Sequence, residues 1–264
     1  DTDLVVIGGY DGILKLPFLS APKFGVINTH LGLLPGNRGC CPTLWAQLHG
    51  RPQGYTTYVV GEAIDRGPIL DVFEAPPSLG GMEDTNRHVY DTLATAAVQR
   101  FAYALDRFEA GSPLSPCEGL DVYHKKGMPN DGWLSFYWSK EFLQRFSLAL
   151  DFAPYLPGQT RQEEDGEAIS LAVDGCCTAI RDGAVGEVLE VDEVGLVIKT
   201  LKGAVRCTWR AGPRPTVGTV LLSGRPCENT GATGCTHPIG RDFDGKELPL
   251  EPYLLSSDRE PAAR

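Results

Sequence analysis

Asn28 and His30 stand two residues apart at the end of a short β-branched run, GVINTH, and a Gly/Pro loop, LGLLPGNRG, follows at once. In an extended segment both side chains lie on one face. Ligands of open α/β sheets bind beyond the carboxyl ends of the strands, so polar groups placed there take a functional reading first. Asp65 closes the next strand-loop unit, YTTYVVGEAID, and can reach the same edge. An amide, an imidazole and a carboxylate together suit acyl transfer: the amide donates to a developing oxyanion, the imidazole moves a proton, and the carboxylate orients and biases the imidazole. Each residue also has an ordinary use. Asn at a strand end and Asp before Arg-Gly-Pro form turns, and a single His packs.

The elements that must carry these residues are legible in outline. Residues 3–8 (DLVVIG) and 25–28 (GVIN) read as fully buried parallel strands, while GILKLPFLSAPKF between them is too short and Pro-interrupted for a long helix. Pro42 followed by TLWAQLH and Gly50 predicts a short helix. YTTYVV and ILDVFEA read as two more strands around the turn-rich GEAIDRGP. In EDTNRHVYDTLATAAVQRFAYALDRFEAG the apolar residues Val89, Leu93, Ala97, Phe101, Leu105 and Phe108 step by three or four. Asp84 or Thr85 would cap this long helix and Gly111 would end it. Residues 1–111 therefore form an α/β sheet domain covered by that helix. Residues 112–166 are a connector with one short helix, SKEFLQRFSLAL, capped by Ser139. From 167 to 225 AISLAV, GEVLEV, VGLVIKTL, AVRCTW and TVGTVLL have the spacing of five strands in a small barrel or sandwich. Residues 226–264, rich in Pro, Gly and Asp, read as a surface tail without periodicity.

Composition removes several classes. With 42% hydrophobic and 22% charged residues among 264, the chain is neither disordered nor fibrous. Its apolar runs are far shorter than the roughly 20 residues of a membrane span, so no membrane partner is expected. Eight cysteines are too dilute for a disulfide scaffold, and Cys40-Cys41 and Cys176-Cys177 are adjacent pairs, which favours free thiols in the cytoplasm. Cys227, Cys235 and His237 are too widely spaced for a zinc knuckle and lack a fourth ligand, so no metal is expected. The first residue, Asp1, leads straight into a strand with no charged leader, as though the chain starts in mid-fold.

INTHLGLLPGNRGCCPTLWAQLHGRPQGYTTYVVGEAIDRGPIL resembles the signature block of the formyltetrahydrofolate-dependent formyltransferases. The shared features are Asn-x-His, Leu-Leu-Pro-x-x-Arg-Gly, a Trp-containing helix, a Gly-Tyr-Thr strand entry and the Asp65-to-Pro68 turn. Upstream, LVVIGGYDGILK is similar to the strand and loop that line the family's pterin pocket. Downstream, PNDGWLSFYWSKEFLQRFSLALDFAPYLPGQT is similar to its connector. The resemblance implies an α/β fold: a partial Rossmann-like parallel-sheet formyltransferase domain followed by a small OB-like β-barrel domain. It also implies Asn28, His30 and Asp65 as the catalytic triad, with 10-formyltetrahydrofolate as co-substrate. Gly9, Tyr10, Ile13, Leu14, Gly61, Glu62, Ala63 and Ile64 would then form the pterin pocket. Gly32 departs from the family, where many members carry Ser. The family's sheet also has strands and helices before the one at 3–8, so residues 1–111 correspond to the C-terminal part of its catalytic domain.

The expected activity is formyl transfer to a primary amine. For the acceptor, residues 151–264 carry 12 Lys plus Arg against 18 Asp plus Glu, a net of −6, which disfavours the polyanion tRNA. The HLGLLP and RGCCPTLWA wording is also closer to sugar and small-amine members, so the first expectation is a small amine such as an amino sugar nucleotide. Methionyl-tRNA is the alternative. A 10-formyltetrahydrofolate hydrolase and a non-catalytic folate-binding relic are the others.

Overall fold

The computed structural model describes residues 2–10, 12–115, 120–152, 158–177 and 182–223. Cys227, Cys235 and His237 lie outside them. The chain divides into two units, one of residues 1–81 and 87–126, the other of residues 82–86 and 127–264.

The first unit runs β1 (Val5–Gly8), α1 (Leu16–Leu19), β2 (Val26–His30), β3 (Arg38–Gly39), α2 (Pro42–Leu48), β4 (Gly54–Val59), β5 (Ile69–Glu74), α3 (Asn86–Glu109) and β6 (Tyr123–His124). Its main sheet has the order β1-β2-β4-β5. Only β1 and β2 are parallel; β2 with β4 and β4 with β5 run antiparallel. This corrects the all-parallel expectation. Apolar runs buried on both faces carry no sign of strand direction, and the short turn between β4 and β5 returns the chain beside itself. Nor is β1 fully buried, since Val6 is 51% exposed.

α3 packs along the sheet as its periodicity predicts. Val89 and Leu93 are buried with Ala75, and further along Ala104 joins Ile27 and Leu70, with Phe101, Leu105 and Phe108 packed against them. Gly111, left-handed at φ 61°, ends the helix. Across the sheet, Asp71 is 2% exposed. It is held by two hydrogen bonds from Arg100, at 2.9 and 3.2 Å, and one from the Tyr55 hydroxyl at 3.0 Å. Burial and the Asp71 carboxylate push the Tyr55 phenol up to about 12.

In the second unit a turn at Pro129–Gly132 precedes α4 (Lys140–Leu150), whose first turn is capped by the Ser139 hydroxyl accepting from the Phe142 N–H. α4 buries Phe142, Leu143, Phe146 and Leu150. Its Ser147 hydroxyl accepts the Val173 N–H at 2.9 Å. Then follow β7 (Gln159–Thr160), β8 (Ile169–Cys177), β9 (Val188–Val191), β10 (Gly195–Thr200) and β11 (Gly203–Ala211), an antiparallel sheet of order β7-β8-β11-β10-β9. Four of the five expected strands are present, but the fifth member is β7 and not TVGTVLL. That segment contains a turn at Val217-Gly218 and makes only isolated bridges, Val220 with Glu187 and Leu222 with Arg161. Among the described residues the strands form an open-ordered sheet, not a closed barrel. No helix among them is long and apolar enough to cross a membrane.

Gly67 sits where a Cβ would overlap the Val59 carbonyl oxygen. Gly67→Ala should destabilise the protein by about 1–3 kcal/mol through forced backbone displacement, read as a lower urea midpoint; an unchanged midpoint contradicts that packing. A second expectation follows from Tyr55. Its folded-state pKa is raised from 10.0 to about 12, so its contribution is whole below pH 10 and is lost as pH climbs through that interval. Tyr55→Phe should flatten the alkaline fall in urea midpoint over that window, and an equally steep fall in the variant counts against it.

Candidate active site

β2 alternates so that Asn28 and His30 fall on one side, and its antiparallel pairing places Asn28 opposite Tyr58 and His30 opposite Thr56. Thr56 also shapes the loop after β2. Its hydroxyl donates to the Gly32 carbonyl at 2.9 Å and accepts the Leu34 N–H at 3.1 Å. The loop returns so that the Asn37 carbonyl lies 2.7 Å from His30 Nε2. A carbonyl only accepts, so Nε2 carries the proton and Nδ1 of the neutral ring keeps its lone pair. Gly32 is required for this approach. A Cβ there would stand 2.9 Å from both the Asn37 oxygen and His30 Nε2, and 2.7 Å from Pro42 Cβ. The Gly/Ser difference from the family therefore concerns how closely the loop packs on the imidazole.

Asp65 adopts a left-handed backbone conformation, φ 53°, in the turn between β4 and β5. Its Oδ2 accepts the Gly39 N–H at 2.6 Å and its Oδ1 accepts the Tyr58 hydroxyl at 2.7 Å. His30 Nδ1 is 4.0 Å from Asp65 Oδ2, with the two side chains 8% and 10% exposed. The expected role of Asp65 needs correction on one point: the ring is held by the Asn37 carbonyl, while Asp65 faces Nδ1 across a gap too wide for a hydrogen bond. Asn28 donates an amide N–H to the Tyr58 hydroxyl at 3.2 Å. Tyr58 is 3% exposed, and burial, then the Asp65 charge, raises its phenol above the ordinary range, so it remains a neutral donor.

The turn that carries Asp65 is anchored on both sides. Arg38 donates to the Ile64 carbonyl at 3.4 Å and to Asp121 at 2.8 Å, while Arg66 donates to the other Asp121 oxygen. Burial opposes the charge on Asp121, but the two guanidiniums outweigh it and hold its carboxyl below the usual range. Tyr58, Arg38 and Asp121 were not singled out from sequence. Tyr58 lies inside the strand run YTTYVV and Asp121 is 83 residues from Arg38, so no local spacing reveals either connection.

A cavity of about 100 Å³ is lined by Asn28, Tyr58 and Asp65, while His30 is not among its lining residues. Tyr10, Ile13 and Leu14 and the loop Gly61, Glu62, Ala63 and Ile64 also line it, giving it apolar walls and loop backbone. Ile7, Tyr10, Ile13 and Leu14 also line a second cleft of about 620 Å³. Gly9 does not line it: it borders a separate cleft of about 440 Å³ beside Tyr90 and Phe101. Among the described residues no cluster of His, Cys, Asp or Glu could hold a metal ion.

The profile described as Formyl transferase matches residues 1–105. The chain is 31% identical over 229 residues to the methionyl-tRNA formyltransferase of Halorhodospira halophila (strain DSM 244 / SL1), covering 84% of this chain and 71% of the relative. It is 29% identical over 206 residues to that of Citrifermentans bemidjiense, covering 77% and 62%. Among solved structures, a sugar N-formyltransferase from Shewanella sp FDAARGOS_354 superposes with a TM-score of 0.56 at 20% identity, over 67% of this chain and 71% of that one. HypX from Aquifex aeolicus, in complex with tetrahydrofolic acid, gives 0.60 at 19% identity, over 84% and 37%. Both share the fold. The chain thus spans from 62% to 71% of the length of these two sequence relatives. On the strength of the first relative's identity and coverage, this chain belongs to the formyltransferase family.

Proposed function

We propose that the protein transfers a formyl group from 10-formyltetrahydrofolate to a primary amine. The observation that carries this reading is the convergence of Asn28, His30 and Asp65 at one end of β2, beside a cavity with apolar side chains and loop backbone. Such a lining fits a flat heterocycle with hydrogen-bonding edges. Ile13, Leu14 and the 61–64 loop would hold the pterin. The folate supplies an activated formyl carbon.

Asn28 supplies an amide N–H to the negative charge that develops on the formyl oxygen. His30 moves the proton through Nδ1, because Nε2 is committed to Asn37. Asp65 stabilises the imidazolium that results. The acceptor nitrogen replaces the folate nitrogen on the formyl carbon, and the proton lost by the amine ends on the folate nitrogen.

For the acceptor we place methionyl-tRNA first, ahead of the amino sugar nucleotide expected from sequence, because the two sequence relatives described above bear that name. The small-amine reading keeps one observation in its favour, the net −6 charge of residues 151–264. An OB-like character for the second unit is supported by the bridges from Val220 and Leu222, which link the opposite edges of its sheet. A folate donor also accords with a cytoplasmic location.

The test supplies the purified protein with 10-formyltetrahydrofolate and either initiator methionyl-tRNA or an amino sugar nucleotide, and follows tetrahydrofolate and the formylated product. Formyl-methionyl-tRNA is expected, with tRNA binding that weakens as salt rises. Product only from the sugar reverses the order of acceptors, and formate release without either overturns the transferase reading. His30→Ala should lower kcat by about 100- to 10,000-fold while folate affinity changes little; lost affinity with unchanged turnover would make His30 structural.

A further inference from the structure

One hydroxyl joins two of the three residues assigned to the chemistry. Tyr58 lies directly across from Asn28 in the β2–β4 pairing, and its ring is buried against Leu34 and Ile69. Asp65 follows seven residues later, in the turn. A carboxylate only accepts, so the Tyr58 proton points to Asp65 Oδ1 at 2.7 Å. With its proton so committed, the Tyr58 hydroxyl oxygen must accept from its other neighbour, the Asn28 amide nitrogen at 3.2 Å. This chain of two bonds decides which way the Asn28 amide faces: nitrogen toward Tyr58, with its second N–H available to donate. It also decides how the carboxylate is turned. With Oδ1 on Tyr58 and Oδ2 on the Gly39 N–H, it is Oδ2 that faces His30 Nδ1 at 4.0 Å.

We infer that Tyr58 is a positioning residue of the formyl-transfer site, orienting the Asn28 amide and the Asp65 carboxylate together through its hydroxyl. This rests on the formyl-transfer reading given above. Without the hydroxyl, Asn28 could rotate its oxygen toward the developing negative charge, where it would repel, and Asp65 would lose one of its two fixed contacts. The ring alone fills the space, so Tyr58→Phe removes the bonds and keeps the packing.

The other groups facing Asp65 are His30 from β2 and the Gly39 N–H from β3, while Arg38 reaches the neighbouring Ile64 carbonyl. None of them contacts the Asn28 amide through a hydrogen bond recorded for the described residues. Tyr58 is therefore the group through which Asn28 and Asp65 are coupled.

Tyr58→Phe should lower kcat by about 10- to 100-fold, the worth of a hydrogen bond to a charged or reacting group, with KM for folate and acceptor changed less than about threefold. In an Asp65→Asn background the same substitution should cost much less, since the two act as a unit. A wild-type kcat in Tyr58→Phe overturns the proposal, and so does a raised KM at constant kcat, which would make Tyr58 a cavity wall. A separate readout needs no turnover. The side-chain NH₂ signals of Asn28 in the NMR spectrum of the wild-type protein should show an orientationally locked amide, and this locking should be lost in Tyr58→Phe. A freely rotating Asn28 side chain in the wild type overturns the proposal even if the variant fails to fold. If the wild type transfers no formyl group to either acceptor, the functional reading fails, and the Asn28 spectrum still decides whether Tyr58 orders that amide.

Discussion

A largely buried carboxylate organises the first unit. Asp65 has a side chain only 10% exposed, and a charge so placed is costly unless each oxygen finds a donor. The two donors come from two different strands: the backbone of β3 through Gly39 and the end of β4 through Tyr58. Each of those contacts constrains something else. Gly39 belongs to the strand paired with β6, so the return of the 120–124 segment is tied to the carboxylate. Tyr58 is hydrogen-bonded to Asn28, so the same charge reaches the amide on β2.

The imidazole is governed by a different constraint. His30 meets a backbone carbonyl at Nε2, and the loop bearing that carbonyl is fixed by Thr56, a residue of the neighbouring strand with both hydrogen-bonding capacities of its hydroxyl in use. The result is a division of labour between the two nitrogens. One fixes the tautomer and the ring, and the other faces a carboxylate 4.0 Å away, beyond hydrogen-bond reach. A group that must both take and release a proton benefits from such an arrangement, since a short hydrogen bond from Nδ1 to Asp65 would compete with the substrate for the same atom.

How much of this could be read from the residues varies with the kind of information required. The long helix was legible because its apolar positions recur at the helical period, and the four strands of the first sheet were legible as β-branched runs between turn residues. Their directions were not: β4 carries buried Tyr and Thr on both faces and β5 opens with three buried residues in a row, patterns common to parallel and antiparallel neighbours. In the second unit the fifth strand is not the one its alternation suggests. TVGTVLL alternates well enough for a strand, but the Val217-Gly218 turn interrupts it, and the two residues of β7 pair with β8 through tertiary contact with almost no local signature.

By itself the sequence determined the chemical types and the one spacing that local geometry enforces: Asn28 and His30, two apart on an extended strand, must share a face. It also determined that Asp65 ends a turn able to return to that edge, and that glycine occupies position 32. Only the tertiary structure decided what each polar atom does. Which nitrogen of His30 is free depends on a carbonyl seven residues away, brought back by a hydroxyl on another strand. Which way Asn28 faces depends on a tyrosine 30 residues away, whose relevance appears only once the antiparallel register sets it opposite. Side-chain alternation is a property of one strand, whereas register and loop return are properties of the pairing between strands, and hydrogen-bond direction is settled only where those pairings bring donors and acceptors together.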